Sequence, residues 1–520
     1  MKHEIFKNMQ SGFFIALLAL PLSLGIASAS SFPPIAGLIS AIVAGIFCSF
    51  IAGSPISIKG PAAGLIVIIM AAVYDLGNGD LVAGYKRTLA IGVIAALGQI
   101  ILAFSKISKV GKVMPPSIIH GMLAAIGVII MAKQSHILLG NIPSGKTPFE
   151  LILELPHSIM HANPELLFMG VIVFICMIIL PKKDSPLLKK IPPALIALSI
   201  VIPLSLIWHL HDKHSYSLFG YNFNVGPEFL VNIPSSLLNS FVFPDFSVLK
   251  NLIAYKYIIM LMLVGSLESI LTVIAIDSLS SNKKESNLDK DLLAIGIGNL
   301  ISSLLGGLPI ISEVVRSKAN IDSNASNAWS AFFHGAFLLF AVLFLGNILQ
   351  EIPLSALAAM LIIVGFKLAS PAQFKHVKKI GNDQLLLFSA TLLITLSTDL
   401  LVGVFSGVLL KIFIHIIRGI KLKDFLYLNH NLTEEKNKIV ITISGPLIFS
   451  NSLQLYKLIT KFLNSNKIIL IDLEKAKIVD HTTLQQLQTF TKRYEDMVVI
   501  TGLNSLKSNT SHHLSTHSAI

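Results

Sequence analysis

Lysine, glycine and proline stand in a row at Lys59, Gly60 and Pro61, inside the otherwise apolar run SPISIKGPAAGLIVII (54–69). A second stretch, LGGLPIISEVVRSKAN (305–320), is interrupted by Gly306, Gly307 and Pro309, and then carries Glu313, Arg316 and Lys318. Non-helical backbone at membrane depth is tolerated only where it lines a cavity or is buried in protein. Pro61 and Pro309 each suit the first position of a helix, where a missing N–H costs little. Each half-helix would then aim unpaired N–H groups and roughly half a positive charge at its break. Two such ends facing one another make an anion site. The small residues Gly60, Ala62, Ala63 and Gly64 let an ion approach the backbone closely, and Ile311 and Ser312 border the second break.

The elements that must position these breaks are membrane segments. Of the 520 residues, 53% are hydrophobic and 13% charged, with mean hydropathy +0.75, too apolar for a soluble chain of this length. Apolar segments run at about 11–31, 33–53, 60–74, 87–105, 114–132, 164–181, 192–210, 252–277, 289–306, 309–322, 327–348, 352–369, 384–399 and 401–420. This gives fourteen, with the third and tenth shorter than a bilayer and carrying the two breaks. Matching broken segments in two halves point to an inverted-repeat transporter with its site at the repeat interface. The N-terminal apolar run is long and is followed at once by another, so it reads as a retained span rather than a signal peptide.

Charge orients the segments. With the N-terminus cytoplasmic, inside loops carry Lys106, Lys109 and Lys112, then Lys182, Lys183, Lys189 and Lys190, then Lys283, Lys284 and Lys290, then Lys375, Lys378 and Lys379. The longer outside loops hold only Lys86, Arg87, Lys133, Lys146, Lys213, Lys250 and Lys256. Both termini are therefore expected in the cytoplasm. The net charge of +12 follows from these loops and needs no nucleic-acid partner. Cys48 and Cys176, isolated within apolar spans, read as packing residues.

From about residue 425 the texture changes. KIVITIS (438–444), IILIDL (468–473) and MVVITGL (497–503) read as buried strands, with amphipathic helices between them at 450–465 and 481–496. This predicts a small cytoplasmic α/β domain over 425–505, following a transmembrane domain over 1–420. The polar remainder, 506–520, with His512, His513 and His517, reads as a disordered tail.

The motifs ALPLSLGIASAS (19–30), GPAAGL (60–65), LVGSLESILTVIAID (263–277), IGIGNLISSLLGGLPIISEVVRSKANI (295–321) and STDLLVGVFSGVLL (397–410) resemble the sulfate permease (SulP) family of anion transporters. LIDLEKAKIVDHTTLQQL (470–487) resembles the STAS domain that ends those proteins. The likeness implies an α-helical polytopic 7+7 inverted-repeat fold of fourteen transmembrane segments, three and ten being half-helices. It implies a core of segments 1–4 and 8–11, a gate of 5–7 and 12–14, elevator-like movement and a homodimer. GPAAGL beside LPLSLGIA is similar to the bacterial branch linked to carbonic anhydrase, a possible partner, and favours bicarbonate somewhat over sulfate.

The resemblance also assigns residues. Arg316 matches a basic position bordering the anion, and Ser23, two residues beyond Pro21, is the polar candidate on segment one. Glu268 matches the acid that binds the coupling cation. Its being Glu favours a proton, while Thr272, one turn later, keeps sodium open. Ionisable groups inside a membrane are by default functional. Lys59 and Glu313 depart from the family, where small or neutral residues are usual; facing one another they would form a buried gating pair, or Lys59 would instead attract the anion while Glu313 meets water. In DHTTL (480–484), His481 stands where related domains carry a phosphorylatable serine, leaving Thr482 and Thr483 as substitutes. The expected function is cation-coupled secondary transport of bicarbonate or sulfate. The alternatives are a membrane-tethered signalling protein acting through the STAS domain and a nucleobase permease of the same fold. No cofactor is implied beyond a coupling H+ or Na+, and no grouping of nucleophile, base and orienting residue suggests an enzyme.

Overall fold

A computed structural model describes every residue except 1, 144, 146, 183–190, 219, 235–236, 280–284, 466, 495–496 and 520. Lys146, Lys183, Lys189, Lys190, Lys283 and Lys284 of the charge comparison lie outside the described residues. The chain divides into two units, residues 1–108 with 126–368, and residues 109–125 with 369–520.

The first unit begins with α1 (Lys2–Ala29), α2 (Pro34–Val43), strand β1 (Lys59–Pro61), α3 (Ile66–Gly77) and α4 (Leu81–Phe104). Then come α5 (Pro116–Leu138), whose first turns belong to the second unit, α6 (Pro148–Met160), α7 (Pro164–Ile179) and α8 (Pro193–Ile207). A hairpin of β2 (His214–Leu218) and β3 (Tyr221–Val225) leads to α9 (Leu252–Leu279), α10 (Leu288–Leu304), strand β4 (Ile310–Ser312) and α11 (Val314–Asp322). The unit ends with α12 (Trp329–Phe344), α13 (Gly346–Gln350) and α14 (Leu354–Leu368).

Local chemistry sets these boundaries. Asp80, Asn163 and Asn287 accept backbone N–H groups at the starts of α4, α7 and α10, and Thr147 with Glu150 closes a capping box on α6. Proline opens α2, α6, α7 and α8, where no donor is lost. Every one of the fourteen expected segments falls on a helix, while α6, α13 and α15 (Pro371–Ile380) are additional. Six helices among the described residues are long and apolar enough to cross a bilayer by length and composition alone.

The packing repeats in inverted form. Helix α12 lies against α1 and α2, and α4 lies against α9 and α10, so the fourth segment of each half packs on the first two of the other. Small residues permit the close approach: a Cβ on Gly45 would meet Gly335, and one on Gly296 would meet Ile100. A core including Ala19, Leu24, Leu38, Met169, Val201, Leu338 and Leu357 fills the interior. Large apolar side chains such as Ile101, Phe104, Phe168 and Phe344 remain exposed, as lipid contact demands.

The second unit continues through α15 with α16 (Asn382–Ser397), α17 (Leu400–Ile417) and α18 (Leu422–Leu426). Strands β5 (His430–Glu434) and β6 (Lys438–Ile443), β7 (Pro446–Leu447), helix α19 (Ser452–Phe462) and β8 (Ile468–Asp472) follow. After them come β9 (Ile478–Val479), α20 (His481–Arg493), β10 (Val498–Thr501), β11 (Lys507–Ser508) and β12 (His517–Ser518). One sheet has the order β10-β8-β6-β5, with β6, β8 and β10 parallel and β5 antiparallel to β6. Alternate residues Ile439, Ile441 and Ile443 enter a core closed by Leu455 and Ile459 of α19 and Leu484 and Leu487 of α20. The three predicted strands and two predicted helices are all present.

One packing arrangement crosses the expected boundary, and one expectation needs correction. Residues 369–420 pack in one compact unit with the small domain, although they belong to the expected transmembrane domain by sequence. The cause is a buried cluster: Lys411 and His415 of α17 approach Asp480 at 3.2 and 3.4 Å. The Asp480 carboxylate also accepts the Phe449 N–H (3.1 Å) and caps α20 through the Thr483 N–H (2.9 Å). The tail, moreover, is ordered. A second sheet, β11-β12-β9-β7, includes it, and Thr510 Oγ1 donates to the Lys379 and Ile380 carbonyls at the end of α15 (3.1 Å each). Two-residue strands carry too little periodicity to be read in sequence.

The DHTTL segment is buried beneath that tail, with His481 2%, Thr482 2% and Thr483 1% exposed. The neutral His481 ring donates from Nδ1 to the Leu514 carbonyl (2.8 Å). Burial above all, with Lys411 nearby, pushes the His481 pKa down from 6.5 to about 4. Between those pH values the folded chain binds fewer protons than the unfolded chain, so stability falls as pH drops through the window. Thermal unfolding followed from pH 7 to pH 5 should show His481 contributing a loss of roughly 2 kcal/mol by pH 5. His481→Asn, which keeps a donor but cannot titrate, should flatten that slope; identical slopes for both proteins would remove His481 as the cause.

Candidate functional site

The two breaks pair with each other. β1 and β4 run antiparallel, with Lys59 opposite Ser312, Gly60 opposite Ile311 and Pro61 opposite Ile310. The ribbon extends past both ends, as the Ala62 N–H donates to the Pro309 carbonyl (3.0 Å) and the Glu313 N–H to the Ile58 carbonyl (2.9 Å). Side chains satisfy what the ribbon leaves open. Asn299 of α10 accepts the Ile310 N–H and donates to the Ile310 carbonyl (3.1 Å), and Ser317 accepts the Ile58 N–H (2.8 Å). Ser40 and Ser302 both donate to the Leu308 carbonyl, at 2.9 and 2.7 Å. Helices α3 and α11 then leave from the ribbon, α3 after one 3-10 turn over Ala63–Leu65.

Charged groups gather where the ribbon meets α11. The Arg316 guanidinium is 1% exposed; its Nε lies 3.0 Å from Glu313 Oε2 and its Nη2 donates to Ser23 Oγ at 3.2 Å. Nη1 has no hydrogen-bond partner among the described residues. A Cβ on Gly60 would strike Nη1 and the other Glu313 oxygen, so a larger residue there would displace this ion pair. Ser23, Gly60 and Arg316 thus lie together, with Glu313 among them.

The expected pairing of Lys59 with Glu313 does not form. Lys59 Nζ lies 2.9 Å from Asp291 Oδ1 on α10, with both side chains buried. Asp291 also accepts the Ser54 N–H (3.1 Å) and the Ser312 hydroxyl (3.2 Å). Successive strand residues point to opposite faces, and this sends Lys59 and its partner Ser312 together towards α10 while Glu313 folds back to Arg316, one helical turn ahead. Ser312 therefore belongs to the Asp291 network. Ile311 is a buried side chain opposite Gly60, and Pro61, Ala62 and Pro309 contribute backbone to the ribbon.

Glu268 of α9 packs against the first turn leading into α3. A Cβ on Gly64 would collide with its carboxylate, and its Oε2 is shielded and has no hydrogen-bond partner among the described residues. Its neighbour Ser269 accepts the Ser312 N–H (3.4 Å), tying α9 to β4, and Thr272 is buried one turn on. Asp291, Asn299, Ser317 and His334 were not singled out by the sequence. His334 is fully buried on α12 with neither ring nitrogen hydrogen-bonded among the described residues. For Asp291 the available signal was a carboxylate in the first turn of an apolar segment; the others carry none beyond polarity. The arrangement offers one partly unsatisfied guanidinium and a free carboxylate oxygen beside two helix starts. That is equipment for holding an anion and a cation close together.

Known proteins resemble the chain in sequence and in fold. The sulfate permease family model matches residues 5–391, and the STAS domain model matches residues 429–516. The putative sulfate transporter YvdB of Bacillus subtilis is 24% identical over 97% of this chain and 93% of its own length. The bicarbonate transporter BicA of Picosynechococcus is 26% identical over 78% of this chain and 69% of its own. Among solved structures, the transmembrane domain of a cyanobacterial bicarbonate transporter BicA superposes with a TM-score of 0.65 at 24% identity, covering 78% of this chain and 98% of that one. SLC26A9 gives 0.67 at 15% identity, over 96% of this chain and 84% of that one. These relatives are transporters, not enzymes, and they share the fold described above. With its family model spanning most of the length and the STAS model following it, the chain belongs to the sulfate permease family.

Proposed function

We propose that the protein is a secondary transporter that moves an inorganic anion, bicarbonate or sulfate, across the cytoplasmic membrane of a bacterium by an elevator movement coupled to a cation. The observation that carries this reading is the β1–β4 ribbon, from which α3 and α11 start beside Arg316. The likeness to transporters named for sulfate and bicarbonate supports the substrate class. The lysine pattern supports cytoplasmic termini. A homodimer, and carbonic anhydrase as a partner, follow from the same family reading.

Coupling follows from the charges. Fully ionised, Glu268, Asp291 and Glu313 oppose only Lys59 and Arg316, and an arriving anion adds another negative charge. A proton or sodium ion offsets one of these excess negative charges, and Glu268, whose shielded oxygen has no partner among the described residues, is its seat, with Thr272 one turn away. Glu313 occupies the guanidinium that the anion needs, so it competes with substrate for Arg316.

Three substitutions test this in proteoliposomes. Arg316→Ala should raise the half-saturation for the transported anion at least about tenfold, the cost of one charge-assisted hydrogen bond; an unchanged value would take Arg316 out of the site. Glu313→Gln should lower the half-saturation several-fold, because the competitor for Arg316 loses its charge, and a rise would show that Glu313 instead organises the site. Glu268→Gln should abolish accumulation driven by an imposed pH gradient while anion exchange persists. Running the same assay under a sodium gradient assigns the coupling ion, and full gradient-driven accumulation by the Gln variant would make Glu268 structural.

A further inference from the structure

A cavity of about 490 Å³ lies in the first unit, lined by residues of α1, α3, α5 and α14 and by none of β1 or β4. Its walls include Ser28, Met70, Lys133, Gln134 and Ser355, with the exposed carboxylate-bearing Glu228 also lining it. Three of these polar groups are nine-tenths buried: Lys133 is 8%, Gln134 2% and Ser355 2% exposed. Gln134 Nε2 and Ser355 Oγ have no hydrogen-bond partner among the described residues. Lys133 Nζ donates to the Ala29 carbonyl (2.9 Å), Ser31 Oγ (3.1 Å) and Met70 Sδ (2.9 Å), all neutral, and a thioether is a weak acceptor.

A cation held by neutral partners beside two unanswered polar groups is costly inside a membrane segment and invites a negatively charged guest. We propose that this cavity is a second inorganic-anion site, in which Lys133, Gln134 Nε2 and Ser355 Oγ donate to the oxygens of sulfate or bicarbonate. Met70, as the weakest of the Lys133 acceptors, is the contact the anion replaces. The cavity shares α1 and α3 with the ribbon site but is lined by later residues, Gly25 and Ser28 rather than Ser23, and Met70 and Tyr74 rather than Gly60–Ala63. It is a waiting station at the far end of half-helix α3. This rests on the transport reading, since an anion passing between the two sites is what makes the station useful.

Two measurements on the purified full-length protein separate this site from the first. In proteoliposomes, Lys133→Gln should raise the half-saturation for sulfate or bicarbonate by about tenfold. Lys133→Arg should restore most of the affinity, and Gln134→Leu and Ser355→Ala should each weaken it by less. These last two side chains make no hydrogen bonds to lose at the atoms concerned, so they report even where Lys133→Gln fails to fold. In detergent, sulfate should still raise the thermal unfolding temperature of Arg316→Ala, and no longer raise that of Arg316→Ala combined with Gln134→Leu and Ser355→Ala. Unchanged half-saturation in every variant, with a lower unfolding temperature for Lys133→Gln, would overturn the proposal and leave Lys133 a clamp on the end of α1. If wild type takes up neither anion, the transport reading fails by itself, and the sulfate-dependent unfolding shift still decides whether the cavity binds.

Discussion

Everything at the centre of the membrane unit depends on one short antiparallel ribbon. Two interrupted helices leave backbone groups that lipid cannot satisfy, and β1 and β4 satisfy most of them with each other. The remainder fall to Asn299, Ser40, Ser302 and Ser317, each from a neighbouring helix. The breaks are therefore stable only as a pair, and only inside this bundle. A mutation that frees one strand exposes the polar backbone of both, which ties the geometry of the site to the integrity of the fold.

The ribbon also sorts the charges. Lys59 leaves one face and meets Asp291, while Glu313, just past the end of β4, curls onto Arg316. Two cations close in space are thereby kept in separate environments. The first ion pair is enclosed and shares its carboxylate with Ser54 and Ser312, fixing the loop before β1 to α10. The second leaves one guanidinium nitrogen and one hydroxyl contact at the break. A buried pair fully engaged with its surroundings serves as a fixed strut, whereas a pair with spare capacity can exchange partners.

Much of this was legible in the residues. Gly60, Pro61, Pro309 and the apolar periodicity marked the breaks and the segments around them, because helix interruption leaves a local trace. The Glu313–Arg316 contact has the i,i+3 spacing of a helix turn, whereas the sequence reading set Glu313 against Lys59. The Lys59–Asp291 pair was not legible: its partners lie on different elements, and Asp291 sits among Asp289 and Lys290, where a sequence reads solvent. The ordered tail escaped for a related reason. Its order comes from carbonyls at the end of α15 and from strand β9, long-range partners that a polar sequence does not advertise.

The node formed by Lys411, His415 and Asp480 bears on how the protein is made. Lys411 lies in the last membrane helix and is synthesised before its counter-charge, which belongs to the STAS domain. Until that domain is in place Lys411 has no Asp480 carboxylate beside it, and a lysine near a helix end can reach along its aliphatic stem towards the interface. The fold of the STAS domain thus supplies the carboxylate that this helix lacks on its own.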